Sequence, residues 1–291
     1  MASLKEVKLR INSVSSTRKI TSAMKLVASS KLHKAQSAIE NMRPYQQKMD
    51  GIMLRFVAEL KEELDSGLAE KREVKKTVVV CISSNSSLCG AFNSNVVKST
   101  LQTIEALKRD NIEVETIPIG VKIAEKVGRI GMRFNTNNSA LLDRASYTDT
   151  ASLAQSLISR YESKEIDRVI LIYNHFKNTA TQIVLKEDFL PVSFSDEGMN
   201  AASQNNQSLD YIVEPSKEQI VESLIPKVLC LKLYTAILDS LAAEHSARVV
   251  AMQTATDNAD QLLYELTLMY NKTRQAAITS ELLDIVGASF Q

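Results

Sequence analysis

The chain has 291 residues, 44% of them hydrophobic and 24% charged, with no tryptophan and a formal net charge of +1. That composition excludes a disordered chain and is enough for one large domain or two small ones. No apolar run approaches the roughly 20 residues of a membrane-spanning helix. MASLKEVKLR has neither the apolar core of a secretory signal nor an Arg- and Ser-rich import leader, so a soluble cytoplasmic chain is expected. Cys81, Cys89 and Cys230 lack CxxC spacing, which argues against a disulfide framework or a thiolate metal site.

Apolar residues Leu4, Val7, Ile11 and Val14 step by three or four, and the series resumes at Ile20, Met24 and Val27, then Leu32, Ala35, Ile39 and Met42. This spacing predicts one long helix with a narrow stripe, interrupted near Pro44 and Gly51. Met1 to Arg43 carries nine basic residues against Glu6 and Glu40. A basic helix can bind nucleic acid, but aromatics are sparse and no reader motif accompanies the charge, so no nucleic-acid partner is expected.

The middle has a different period. Thr77–Ser84, Ile112–Gly120, Ile166–Phe176 and Thr181–Leu190 are rich in β-branched residues and read as strands. The stretches SNVVKSTLQTIEALKR, VKIAEKVGRI and TASLAQSLISRYE between them read as helices. Alternating strand and helix predicts a mostly parallel, three-layer, Rossmann-like α/β domain. SSNSSLCGAFN, Ser83 to Asn93, follows the first strand where a phosphate loop would lie, yet it matches neither GxGxxG nor GxxxxGK[ST]. His33, His175 and His245 sit on separate elements without a second ligand at metal spacing, and Cys89 has no base partner that the sequence can nominate. Neither a cofactor nor a metal is expected. Ser195 to Asp210 reads as a surface loop.

Between Pro226 and Gly287 there is no Pro or Gly, and the stripe Val228, Leu231, Leu238, Val249, Met252, Leu262, Leu266, Met269, Ile278, Leu282 and Ile285 predicts a second long helix. From Asp239 onward seven acidic residues face three basic ones. Narrow stripes and opposite charge favour antiparallel pairing of the two ends of the chain in a coiled coil. The expected division is residues 1–65 for the N-terminal coiled-coil helix, 75–195 for the α/β domain, 196–215 for a loop and 216–291 for the C-terminal coiled-coil helix. On these grounds alone an α/β nucleotide-binding enzyme with helical oligomerisation arms, or a stand-alone coiled-coil adaptor, also fits.

Both ends, MASLKEVKLRINSVSSTRKITSAMKLVASSKLHKAQ and LAAEHSARVVAMQTATDNADQLLYELTLMYNKTRQAAITSELLDIVGA, together with LCGAFN, YNHF and YIVEPS between them, resemble the gamma subunits of F-type ATP synthases. Asn85 and Ser87 stand where that family usually has Asp and Gly. The resemblance implies a non-catalytic central rotor shaft at the cytoplasmic face of a bacterial inner membrane. Its partners would be the hexamer of alpha and beta subunits, the epsilon subunit and the membrane c-ring, with ATP synthesis coupled to proton transport. By motif, Met24, Lys25, Arg248, Arg274, Gln275 and Thr279 match positions that contact alpha and beta, and Tyr211 and Glu214 match positions that meet the c-ring. Arg248 lies in a weak part of the stripe, where an arginine is expected to seek an acceptor outside the chain.

Overall fold

The computed structural model describes residues 3–59, 68, 72–131, 138–192, 213–214 and 216–289. In order, the elements are α1 (Leu4–Glu59), β1 (Lys76–Ile82), α2 (Phe92–Arg109), β2 (Glu113–Ile119), α3 (Val121–Arg129), α4 (Ala140–Asp143), α5 (Tyr147–Glu162), β3 (Arg168–Phe176), β4 (Gln182–Leu190) and α6 (Lys217–Ser289). They form two compact units: residues 1–30 with 248–291, and residues 31–247. The expected surface loop, Ser195 to Asp210, lies outside the described residues.

In the larger unit, four strands run in the order β2-β1-β3-β4; β1 pairs in parallel with β2 and β3, and β4 is antiparallel to β3. Successive side chains of a strand point to opposite faces. Val78, Val80 and Ile82 therefore join a core with Leu157 and Tyr161 of α5, Met53 and Phe56 of α1, and Ile225 and Leu229 of α6. Val79 and Cys81 face Val96 of α2 and Ile123 and Val127 of α3. Helices thus cover both faces, as the sequence predicts. Coverage on both sides makes β1 and β3 continuous apolar runs, whereas the edge strand β4 alternates.

α1 departs from expectation by running through Pro44 and Gly51 to Glu59 with no break, whereas α6 begins at Lys217, one residue from the expected 216, and carries Pro226 inside it. A proline leaves the carbonyl four residues earlier without its helical donor. Glu40 and Glu222 are exposed, so water can serve those carbonyls. Beside each proline, buried side chains hold the helix against the sheet: Met53 and Phe56 in α1, Val221 and Ile225 in α6. Packing of an apolar face outweighs local propensity.

Gly51 stands within this helix, and a Cβ built on it meets nothing within 4 Å. Gly51→Ala is therefore expected to stabilise the chain by about 0.5–1 kcal/mol, read as a higher urea midpoint, because glycine pays more backbone entropy in a helix.

In the smaller unit, residues 4–30 of α1 and 248–289 of α6 pair antiparallel. Thr21 Oγ1 and Thr256 Oγ1 are 2.9 Å apart, and Arg18 Nε meets Asp260 Oδ1 at 2.8 Å. Both members of the ion pair are about half exposed, so it contributes less than about 1 kcal/mol. The seam corrects the expected stripe. Inward positions of α1 keep strict seven-residue phase through Val7, Val14, Thr21 and Ala28, while Ile20 and Val27 lie on the exposed side. On α6 the seam runs Met252, Thr256, Ala259, Leu263, Leu266, Tyr270, Thr273 and Ala277, leaving Leu262, Met269 and Ile278 exposed. A partner helix selects a stripe of period 3.5, and a jump to Ile20 and Val27 would need a stutter in the helix.

Candidate functional site

In a doubly wound sheet the ligand crevice lies beyond the carboxyl ends of the strands where the strand order reverses, here β1 and β3. The loop after β1 closes this crevice by its own hydrogen bonds. Val121 N donates to Asn85 Oδ1 (3.2 Å), Lys122 N to Ser84 O (3.1 Å) and Ile123 N to Ser83 Oγ (3.0 Å). Those three amides open α3, the helix after β2, where a helix N-terminus offers donors to an anion. They are already occupied by the chain itself.

Asn93 adds a second layer, accepting from Ser84 N at 3.1 Å and donating to Ser84 Oγ at 2.8 Å. The asparagine at position 85 also has a local reason. Its Nδ2 donates to Ser139 O and to Asp143 Oδ1, both at 3.0 Å, where an aspartate would present a carboxylate to a carboxylate.

α6 covers what the loop leaves open. Ala243 and Ala247 pack with Cys89, Phe92 and Phe176, and Ala242 with Leu32 and Ala35 of α1 and with Phe176. Alanines at these positions let the helix lie close over the strand ends. Cys89 is 2% exposed and accepts from Asn93 Nδ2 at 3.2 Å, a structural thiol inside this packing. His175 is held by Asp239 of α6, which also accepts from Phe176 N at 2.9 Å. Among the described residues no group of three His, Cys, Asp or Glu could hold a metal ion.

The contact candidates fall at two levels of the helix pair. Met24 and Lys25 are half-buried, about one turn along α1 from the Thr21–Thr256 contact, on the side of Arg248. Arg274, Gln275 and Thr279 are exposed near the other end of α6, with Thr279 Oγ1 donating to Gln275 O at 2.9 Å. At 1.5 Å per residue, Arg248 and Arg274 are roughly 40 Å apart along the helix. Arg248 is 9% exposed and already takes part in an interaction within the chain, so an external acceptor is not needed to explain it. Glu214 is exposed, and Tyr211 lies outside the described residues.

Sequence reading did not single out the last turns of α6 as a surface. Leu282, Leu283, Ile285 and Val286 are each at least half exposed, and Ile278 nearly so. At 100° per residue they span about 160° of one side of α6, a broad apolar face in place of a narrow seam.

A profile of the family described as ATP synthase matches residues 3–289. An ATP synthase gamma chain of Bacteroides thetaiotaomicron is 52% identical over the whole of both chains. The chain belongs to the ATP synthase gamma chain family. Gamma chains of Bacteroides fragilis and Flavobacterium johnsoniae are 53% and 45% identical, over 99% of this chain and 99% and 98% of theirs.

Among solved structures, a chain of the Tetrahymena thermophila mitochondrial ATP synthase central stalk and c-ring matches at 26% identity with a TM-score of 0.56, covering 81% of this gamma chain and 99% of that chain. A chain of the Euglena gracilis mitochondrial ATP synthase rotor, 20% identical, shares the fold at a TM-score of 0.61, covering 94% and 98% of the two chains. Among the described residues no helix of this gamma chain is long and apolar enough to cross a membrane.

Proposed function

We propose that this gamma chain is the non-catalytic central-stalk rotor of a proton-translocating F-type ATP synthase, acting at the cytoplasmic face of the bacterial inner membrane. One observation carries the reading: α6 ends in a broad apolar face of Ile278, Leu282, Leu283, Ile285 and Val286, each about half exposed or more. Apolar groups of this size left in water on one face of a helix mark a surface meant for partners. A ring of alpha and beta subunits around the helix would supply such a partner, its members meeting this face in turn.

Coupling then follows from asymmetry. The α1–α6 pair presents Met24 and Lys25 on one helix and Arg274, Gln275 and Thr279 on the other, so each catalytic site of the hexamer would meet a different face in turn. A site's nucleotide affinity shifts only by the difference in its contacts with those faces. Arg248 belongs to this set through the residues it holds in place more than through a free guanidinium. Tyr211 and Glu214 are assigned to the c-ring and epsilon side. The filled crevice over β1 and β3 supports a chain with no nucleotide chemistry of its own.

Reconstitution with the alpha and beta subunits of the same cell tests the proposal. ATPase activity is expected only when the gamma chain is present, and the chain alone is expected neither to bind nor to hydrolyse ATP. Hydrolysis by the isolated chain, or failure to assemble with alpha and beta, would overturn it.

A further inference from the structure

A cleft of about 350 Å³ lies in the larger unit between α1, β4 and α6. Its lining mixes apolar Met53, Phe189, Val192, Ile225, Val228 and Leu229 with polar Gln46, Asp50, Glu187 and Lys232. Gln46, Asp50 and Met53 follow each other at helical spacing along α1, so all three project into the same space.

The polar residues are not equally engaged. Glu187 accepts from Tyr173 Oη at 3.2 Å and lies 3.6 Å from Lys232 Nζ, which donates to Asp188 O at 3.1 Å. Asp188 is paired with Arg168. Among the described residues the Asp50 carboxylate has neither a hydrogen bond nor an ion pair, and neither does the Gln46 side chain. Burial raises the Asp50 carboxyl above its ordinary range, with Lys232 nearby pulling it back. A half-buried carboxylate beside apolar side chains, with an amide acceptor one turn away and Lys232 outside ion-pair contact, can take a further donor.

We infer that this cleft binds a small alkylammonium group with an apolar body. The ammonium would donate to Asp50 and to the Gln46 carbonyl oxygen, and the body would lie against Met53, Phe189, Ile225 and Leu229. Two features favour an ammonium over a metal ion: only one carboxylate is unengaged, where a hard cation wants six or more oxygens, and the neighbouring side chains are apolar. The volume is at the low end of small-ligand sites. The same chemistry could come from a free amine or from a lysine side chain of a neighbouring protein.

Calorimetric titration of the full chain with 2-phenylethylammonium, and separately with Nα-acetyl-lysine methylamide, distinguishes these sources. Saturable binding of either is expected, the tighter ligand naming the source, with affinity reduced at least tenfold in Asp50→Asn. Met53→Gln, which spoils the apolar lining and leaves the carboxylate, is expected to weaken 2-phenylethylammonium more than the lysine derivative. The uncharged 2-phenylethanol is expected not to bind. No saturable binding of either amine, equal affinity in Asp50→Asn, or equal binding of the alcohol would overturn the inference.

Discussion

Replacing Gly120 by alanine is expected to destabilise the larger unit by about 3 kcal/mol or more. Gly120 has φ +112°, and a Cβ there would lie 2.7 Å from both Ser83 O and Ser83 Oγ and 2.9 Å from the Ser83 carbonyl carbon. Two of those atoms are backbone and cannot rotate away. Ser83 cannot retreat either, because its amide donates to Ile119 O at 2.8 Å and its hydroxyl accepts from Ile123 N. Relief would therefore come from pulling α3 off the strand ends and exposing the amides that the loop now covers.

Gly131→Ala is the matched control, since Gly131 also has positive φ (+76°) but a Cβ placed there meets nothing within 4 Å. It should cost only about 1–2 kcal/mol of backbone strain. Urea unfolding of both variants separates the close contact from the strain. If the two lose equal stability, the close approach of Gly120 to Ser83 contributes nothing.

The second large effect is expected on assembly. The triple variant Leu282→Ser, Leu283→Ser, Ile285→Ser should leave the folding stability of the isolated chain within about 0.5–1 kcal/mol, because these side chains are 57–67% exposed. Its affinity for the alpha and beta subunits should fall steeply. Burying one leucine or isoleucine is worth about 1.5–3 kcal/mol, so each lost side chain weakens binding by roughly tenfold or more. ATP-driven proton pumping by the reconstituted enzyme should fall with it. Wild-type affinity and pumping in a folded triple variant would remove the apolar end of α6 from the partner surface. Such a result would leave the family assignment untouched, since that rests on similarity along the whole chain.

Much of this protein is written locally. The β-branched runs became β1 to β4 within one or two residues of their expected bounds. β1 and β3 are the clearest, because a strand buried on both faces has to be apolar at nearly every position. The two long helices were legible from recurrent three-and-four spacing and long runs without Gly or Pro. Ser83 to Asn93 lacks the glycine pattern of a phosphate loop, and in the fold Ser83, Ser84 and Asn85 accept from the first amides of α3.

Other features depend on what lies next to a residue in space. Pro44 looks like a helix break in the sequence, but Met53 and Phe56 further along α1 are buried and keep the helix running, as Val221 and Ile225 do ahead of Pro226 in α6. Leu262 and Leu263, or Met269 and Tyr270, are near-equal candidates for the seam by hydrophobicity. The choice of Leu263 and Tyr270 was made by the phase of α1, whose Thr21 and Arg18 meet Thr256 and Asp260. Nor could spacing reveal that Ala243 and Ala247 would cover the crevice beside Cys89 and Phe92, about 150 residues away in sequence. Hydrophobic periodicity records that a face is buried; only tertiary structure decides what buries it, because burial free energy is non-directional and many partners satisfy it equally.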